Sequence, residues 1–263
     1  MGTMNDPSLT LSLINCGETL RISVPTVLDA SLGRLTRLAC DERLSQWSRR
    51  IVNHSAVALN IQGRENFDTS KAYIVMSNHQ SLYDIPLLFH VLGSNLRMLT
   101  KKELFAIPIW GAALRESGFV AIDRSDKDKA RTSFLRAREL LASGTSVWIA
   151  PEGTRSRDGE LLPFKMGGFH LALETGWPIL PVCIRGRRHI LAAKAIKSVA
   201  GVAVSMTIHR PIVAAAFGLN SRPSRHALAA SVRAALASGL SSGLASGLAS
   251  GMASGVASGL ASA

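Results

Sequence analysis

The chain has 263 residues, 47% of them hydrophobic, and only three cysteines, Cys16, Cys40 and Cys183, with no paired spacing. This excludes a disordered polypeptide, a disulfide-built miniature fold and a structural zinc module, and leaves room for one α/β domain with a sizeable core plus extensions. The formal net charge of +12 points to an anionic partner such as nucleic acid, acidic lipid headgroups or a phosphorylated substrate, and it is unevenly placed: after Glu160 the only acidic residue is Glu174.

Residues 1–33 contain period-two stretches, Leu9-Thr10-Leu11-Ser12-Leu13 and Leu20-Arg21-Ile22-Ser23-Val24, which predict a short hairpin or a loose arm. No basic segment followed by an apolar stretch opens the chain, so no secretory signal is expected. From Arg34 to Val52 the pattern turns helical, with Leu35, Leu38, Leu44, Trp47 and Ile51 on one side and arginines interspersed. Such a basic amphipathic helix serves equally in a membrane interface or packed on the domain. The unit 34–56 is therefore set apart from the main domain, 57–236.

Within that domain, apolar runs alternate with helical segments. Strands are predicted at Val57–Ile61, Ala72–Met76, Leu96–Leu99, Phe119–Ile122, Ser146–Ile149, Ile179–Ile184 and Val202–Ile208. Helices are predicted at Ile85–Leu92, Ile107–Glu116, Lys127–Leu141, Gly168–Glu174 and Arg222–Leu236. This alternation predicts an α/β fold with a central, mostly parallel sheet flanked by helices. At residue 237 a four-residue Ala-Ser-Gly-Leu repeat begins. Each glycine costs a helix about 1 kcal/mol against alanine, so 237–263 reads as a flexible low-complexity tail. No run of 18 strongly apolar residues occurs in the body of the chain, so a membrane encounter is expected to be peripheral and on the cytoplasmic side.

The sharpest local signal is Asn78-His79-Gln80-Ser81-Leu82-Tyr83-Asp84, directly after a strand. A strand end feeding a loop and then a helix puts loop side chains at the rim of a sheet, where α/β proteins build sites. Asp84 at the helix start can bond one nitrogen of His79 and leave the other to accept a proton from a hydroxyl. The bland alternative is a helix cap beside a locally bonded imidazole. No Gly-x-Ser-x-Gly elbow or cysteine nucleophile motif accompanies the pair, which assigns the nucleophile to the substrate. Two further strand ends carry cations: Asp123-Arg124 after Phe119–Ile122, and Pro151-Glu152-Gly153-Thr154-Arg155 after Ser146–Ile149. In the latter, Gly153 permits a tight turn while Thr154 and Arg155 offer donors to an anion.

Taken together, these blocks resemble the glycerolipid acyltransferase family. The chain carries, in order, Asn-His-x4-Asp at 78–84, Gly…Ile-x-Arg at 118–124, Pro-Glu-Gly-Thr-Arg at 151–155 and Pro-Ile-Leu-Pro-Val at 178–182, with Lys101-Lys102-Glu103-Leu104, Pro108 and Gly111 between the first two. Ala150 and Ala121 depart from the family pattern, the first standing where an aromatic residue is usual. The resemblance implies that His79 is the general base and Asp84 its orienting carboxylate. It also implies that Lys102, Arg124, Glu152, Gly153, Thr154 and Arg155 bind the acceptor, the two arginines near its phosphate. The implied reaction transfers a fatty acyl group from acyl-CoA or acyl-carrier protein to the free hydroxyl of 1-acylglycerol-3-phosphate at an anionic membrane surface, with no metal and no cofactor beyond the acyl donor. Another lysophospholipid or a lyso-aminolipid is the alternative acceptor. From other classes, a non-catalytic membrane-surface protein would not need the His-Asp pair. A nucleic-acid-binding module fits the charge but not the 5% aromatic content or the absence of a helix-turn-helix pattern.

Overall fold

A computed structural model describes residues 6–123 and 127–256. Seven strands form its sheet: β1 (Ala58–Gln62), β2 (Ile74–Ser77), β3 (Leu96–Lys101), β4 (Val120–Ile122), β5 (Ser146–Ile149), β6 (Ile179–Arg185) and β7 (Ala203–Ile208). They lie in the order β1-β7-β6-β2-β5-β3-β4. All neighbours are parallel except β6 and β7. Each segment predicted as a strand is one, with boundaries shifted by a residue or two.

Burial explains the two kinds of strand pattern. The central strands β2 and β5 are buried at every position, because helices cover both faces, and they read in sequence as continuous apolar runs. The edge strand β1 alternates between exposed and half-buried positions. Along β2, Val75 faces one core with Trp148, Leu180 and Leu87, while Ile74 and Met76 face a second core with Val147, Ile149 and Phe169.

The first core is covered by α2 (Arg37–His54), α3 (Asp84–Leu92) and α4 (Trp110–Glu116), the second by α5 (Lys127–Ala142), α6 (Gly167–Thr175) and α7 (Arg222–Val256). Helix α2 buries Cys40, Leu44, Ser48, Ile51 and Val52, so its apolar stripe packs on the domain. Leu38 stays 67% exposed.

The N-terminal segment differs from its expectation. Instead of a hairpin or loose arm it forms α1 (Leu9–Ser31), a helix lying against α2 and α4. Ser8 caps it, accepting from Leu11 N at 3.1 Å. The hydroxyls of Thr19, Ser23 and Thr26 donate to carbonyls one turn back, at 3.0, 2.8 and 2.7 Å. Self-satisfied in this way, they act as small residues on the inner face, and the apparent strand alternation dissolves. Ser8 and Ser198 exchange backbone hydrogen bonds of 2.7 and 3.2 Å that pin the start of the helix.

The C-terminal repeat also differs from expectation over its first part, since α7 continues through residue 237 to Val256. Val232 and Leu236 are fully buried. Gly239 lies so close to β6 that a Cβ there would sit 2.5 Å from Cys183 Cβ. Residues 257–263 lie outside the described residues. Among the described residues, no helix is long and apolar enough to cross a membrane.

Candidate active site

The carboxyl ends of β2, β5, β6 and β3 share one edge of the sheet, and the chemistry-bearing side chains gather there. β2 delivers Asn78 and His79, β5 the turn 150–156, β6 the residues from Gly186, and β3 Lys102. Asn78 locks the ends of β2 and β6 together: its Nδ2 donates to Ile184 O at 3.0 Å and its Oδ1 accepts from Ile184 N at 2.9 Å.

His79 Nδ1 lies 2.6 Å from Asp84 Oδ2. The Asp84 carboxylate is fully buried, whereas the His79 side chain is 17% exposed. The same Oδ2 accepts from Gln80 N at 2.9 Å and Ser81 N at 3.2 Å, so the loop wraps onto the carboxylate. Asp84 Oδ1 accepts from Arg187 Nε. Burial works against ionisation of Asp84, but the Arg187 guanidinium and then His79 overcome it and hold the carboxyl below its ordinary range. The imidazole also stands edge-on to Trp148, with centroids 5.5 Å apart at 79°. Trp148 is fixed in turn by Nε1 donating to Ser77 Oγ at 2.9 Å. No described residue bonds His79 Nε2.

Glu152 was expected among the acceptor-binding residues and has a different occupation. It is 2% exposed. Its Oε1 accepts from His79 N at 2.8 Å and its Oε2 from Leu162 N at 2.9 Å. Burial raises its pKa against the pull of those two amides. His79 O accepts from Ser156 N at 2.8 Å. Both backbone polar groups of the histidine are therefore tied to the 151–156 turn, and Glu152 positions His79.

Gly153 makes that turn with φ 75°, a conformation that favours glycine. Beyond it Thr154 is exposed and Arg155 half-buried, and among the described residues no side chain pairs with the Arg155 guanidinium. Lys102 Nζ is 2.7 Å from Asp123 Oδ2 and half exposed. Arg124 lies outside the described residues. No group of three or more His, Cys, Asp or Glu gathers as a metal-ligand set among the described residues.

Sequence reasoning passed over Arg187, a fully buried arginine behind the His-Asp pair. Its only sequence signal is a Gly-Arg step at a strand end, and that becomes informative once β6 is known to neighbour β2.

Beside the pair, a cavity of about 500 Å³ opens between α1, α2, α3 and α4. Leu82 and Tyr83, both inside the His79–Asp84 loop, line it together with Leu44, Phe89, Met98, Leu114 and Phe119. On its α1 side, Asn15 Nδ2 donates to Tyr83 OH at 2.6 Å. The volume and apolar lining are those of a ligand pocket.

Comparison with known proteins gives consistent results. Residues 58–185 match the family model described as Acyltransferase. The chain is 36% identical over 174 residues to the chloroplastic 1-acyl-sn-glycerol-3-phosphate acyltransferase BAT2 of Brassica napus, an overlap covering 66% of this chain and 50% of that protein. It is 38% identical over 157 residues to chloroplastic LPAT1 of Arabidopsis thaliana, covering 59% and 43%. The alpha form from Homo sapiens is 36% identical over 127 residues, covering 48% and 45%. The chain thus spans about half the length of the curated relatives it matches. The crystal structure of the 1-acyl-sn-glycerophosphate (LPA) acyltransferase PlsC from Thermotoga maritima has the same fold, with a TM-score of 0.71 and 27% identity over 89% of this chain and 96% of that one.

Proposed function

We propose that this chain, whose residues 58–185 match the Acyltransferase family model, transfers a fatty acyl group from acyl-CoA or acyl-carrier protein to the free hydroxyl of 1-acylglycerol-3-phosphate, forming phosphatidic acid. The observation that carries the reading is the 2.6 Å contact of His79 Nδ1 with a buried carboxylate, which leaves Nε2 unbonded by any described residue. Ionised Asp84 holds the proton on Nδ1 and stabilises the imidazolium that forms when Nε2 takes the hydroxyl proton. The acceptor oxygen then bonds to the thioester carbonyl carbon. The tetrahedral adduct collapses with cleavage of the carbon–sulfur bond, and the departing sulfur regains the proton from His79.

No residue of the chain need carry the acyl group. Cys40 and Cys183 are buried, and burial pushes the Cys183 thiol up to about 11, far from the thiolate a nucleophile requires. Arg155, with Lys102 beside Asp123, supplies positive charge for the acceptor phosphate. The cavity takes an acyl chain, each buried methylene contributing about 0.8 kcal/mol.

Leu9, Leu13, Leu20, Val24 and Leu28 are all at least 40% exposed along α1. That stripe supports attachment to a bilayer surface, which we assign to the cytoplasmic face.

The test is an assay of purified protein on vesicles with lysophosphatidate and each of the two donors. His79→Ala is expected to lose about 10²–10⁴-fold in rate while keeping its fold. Wild-type rates in that variant overturn the mechanism. Faster turnover of a zwitterionic lysolipid or a lyso-aminolipid than of lysophosphatidate reassigns the acceptor.

A further inference from the structure

We propose that Arg187 is a positioning residue of the His79–Asp84 pair, its guanidinium setting the orientation in which the carboxylate holds the imidazole. The proposal rests on the acyl-transfer reading for its kinetic test, though not for its spectroscopic one.

A buried arginine is costly unless its charge and donors are matched, and here they are. Arg187 is 0% exposed. Its Nε donates to Asp84 Oδ1. One terminal nitrogen donates to Ile184 O and, at 3.3 Å, to Gln80 Oε1, and the other to Asn78 O at 3.0 Å. Local geometry directs it there. Gly186 has φ 86°, and a Cβ at that position would sit 2.2 Å from Ala203 O. Only glycine fits, and the turn sends the next side chain under the His79 loop.

Simple cross-bracing of β2 and β6 does not account for this residue, because Asn78 already closes that junction with two bonds to Ile184. Beyond its own bonds to Ile184 O, Asn78 O and Gln80 Oε1, what Arg187 adds is the contact to Asp84. The carboxylate is shared: Oδ2 serves His79 and the loop amides, while Oδ1 serves the guanidinium. The terminal nitrogens, anchored on Ile184 O, Gln80 Oε1 and Asn78 O, fix the plane of the guanidinium and so the direction from which Nε meets Oδ1, as a single ammonium cannot.

The charged or titratable groups facing Asp84 are Arg187 from the end of β6 and His79 from the loop after β2. Glu152, from the turn after β5, acts on both of these. Without Arg187, burial of Asp84 is opposed only by His79 and the Gln80 and Ser81 amides, and a protonated Asp84 no longer accepts the Nδ1 proton.

The experiment compares wild type, Arg187→Gln and Arg187→Lys as full-length protein. One arm measures the pH profile of acyl transfer to lysophosphatidate. The other records nitrogen-15 spectra of the His79 ring without substrate. For Arg187→Gln, kcat at neutral pH is expected to fall more than about tenfold with KM nearly unchanged. Its acid limb should move up by about 1–3 pH units, and the Nδ1–H signature should be lost. Arg187→Lys should keep the limb near wild type and recover part of kcat.

An Arg187→Gln protein that is less stable, yet has the wild-type limb and His79 spectrum, makes the arginine purely structural and overturns the proposal. Should Arg187→Gln not fold, Arg187→Lys decides: wild-type kcat with an unaltered ring spectrum overturns it. Absence of acyl transfer in the wild type refutes the function and leaves the spectroscopic arm to judge Arg187.

Discussion

Replacing Asp84 by asparagine perturbs stability and chemistry by separable amounts. The carboxylate is fully buried and receives His79 Nδ1, Gln80 N, Ser81 N and Arg187 Nε. An amide of the same shape keeps some of these bonds but leaves the Arg187 charge without its counterion at 0% exposure. Breaking one side of such a pair costs about 3–5 kcal/mol, a large part of the roughly 5–15 kcal/mol that holds a domain folded. At about 2–4 °C per kcal/mol, the midpoint should drop by about 6–20 °C. Removing the orphaned charge as well, in Asp84→Asn/Arg187→Met, should restore most of that loss. Activity should not return, because the asparagine amide offers His79 a donor and selects the tautomer whose Nε2 is already protonated. Thermal unfolding of the four proteins of the cycle, with acyl transfer measured in parallel, reads both effects. A double variant no more stable than Asp84→Asn, or one that regains activity, refutes the argument.

Other outcomes follow from the same geometry. Glu152→Gln leaves either His79 N or Leu162 N without an acceptor in a buried site, so urea unfolding should show a loss of about 1–3 kcal/mol together with a fall in kcat. In acid, the stability contributed by Asp84 is complete above the ordinary carboxylate range near about 4 and is lost as pH falls through its lowered value; the acid-unfolding curve of Asp84→Asn should be flatter there. Gly111→Ala places a Cβ 2.4 Å from Phe105 O, against backbone that cannot swing aside, and should cost about 1–3 kcal/mol. Gly168→Ala clashes with the flexible end of Met76 at 2.8 Å and makes ordinary contact with Ile149 at 3.5 Å, and should cost less by the same melting assay. Iodoacetamide at mildly alkaline pH should label the exposed Cys16 in the native protein and spare Cys40 and Cys183, as intact mass would show.

The sheet was legible in the sequence because its central strands are covered on both faces and so appear as unbroken apolar runs such as Ile74-Val75-Met76. His79 and Asp84 were legible because their spacing lies within one loop. Two parts were not. α1 presents hydroxyl residues inward and Leu9, Leu13 and Leu28 outward, the reverse of the usual amphipathic rule, and its short leucine alternations resemble strands. Arg187 and the second occupation of Glu152 depend on which strand ends are neighbours, and strand order is not written in local pattern. The C-terminal repeat was read from glycine's poor helix propensity, whereas Val232, Leu236 and Gly239 extend α7 through tertiary contact with β6.

The stitching of His79 to the 151–156 turn has a mechanical consequence. With the histidine amide held by Glu152 and its carbonyl by Ser156 N, the segment that under the proposed function meets the acceptor and the segment that under it removes the proton move as a single body. An acceptor that shifts the turn on arrival also shifts the imidazole, so a poorly fitting headgroup is penalised in turnover as well as in affinity. Grafting a different headgroup preference onto residues 153–157 would therefore require re-aligning the base in the same design.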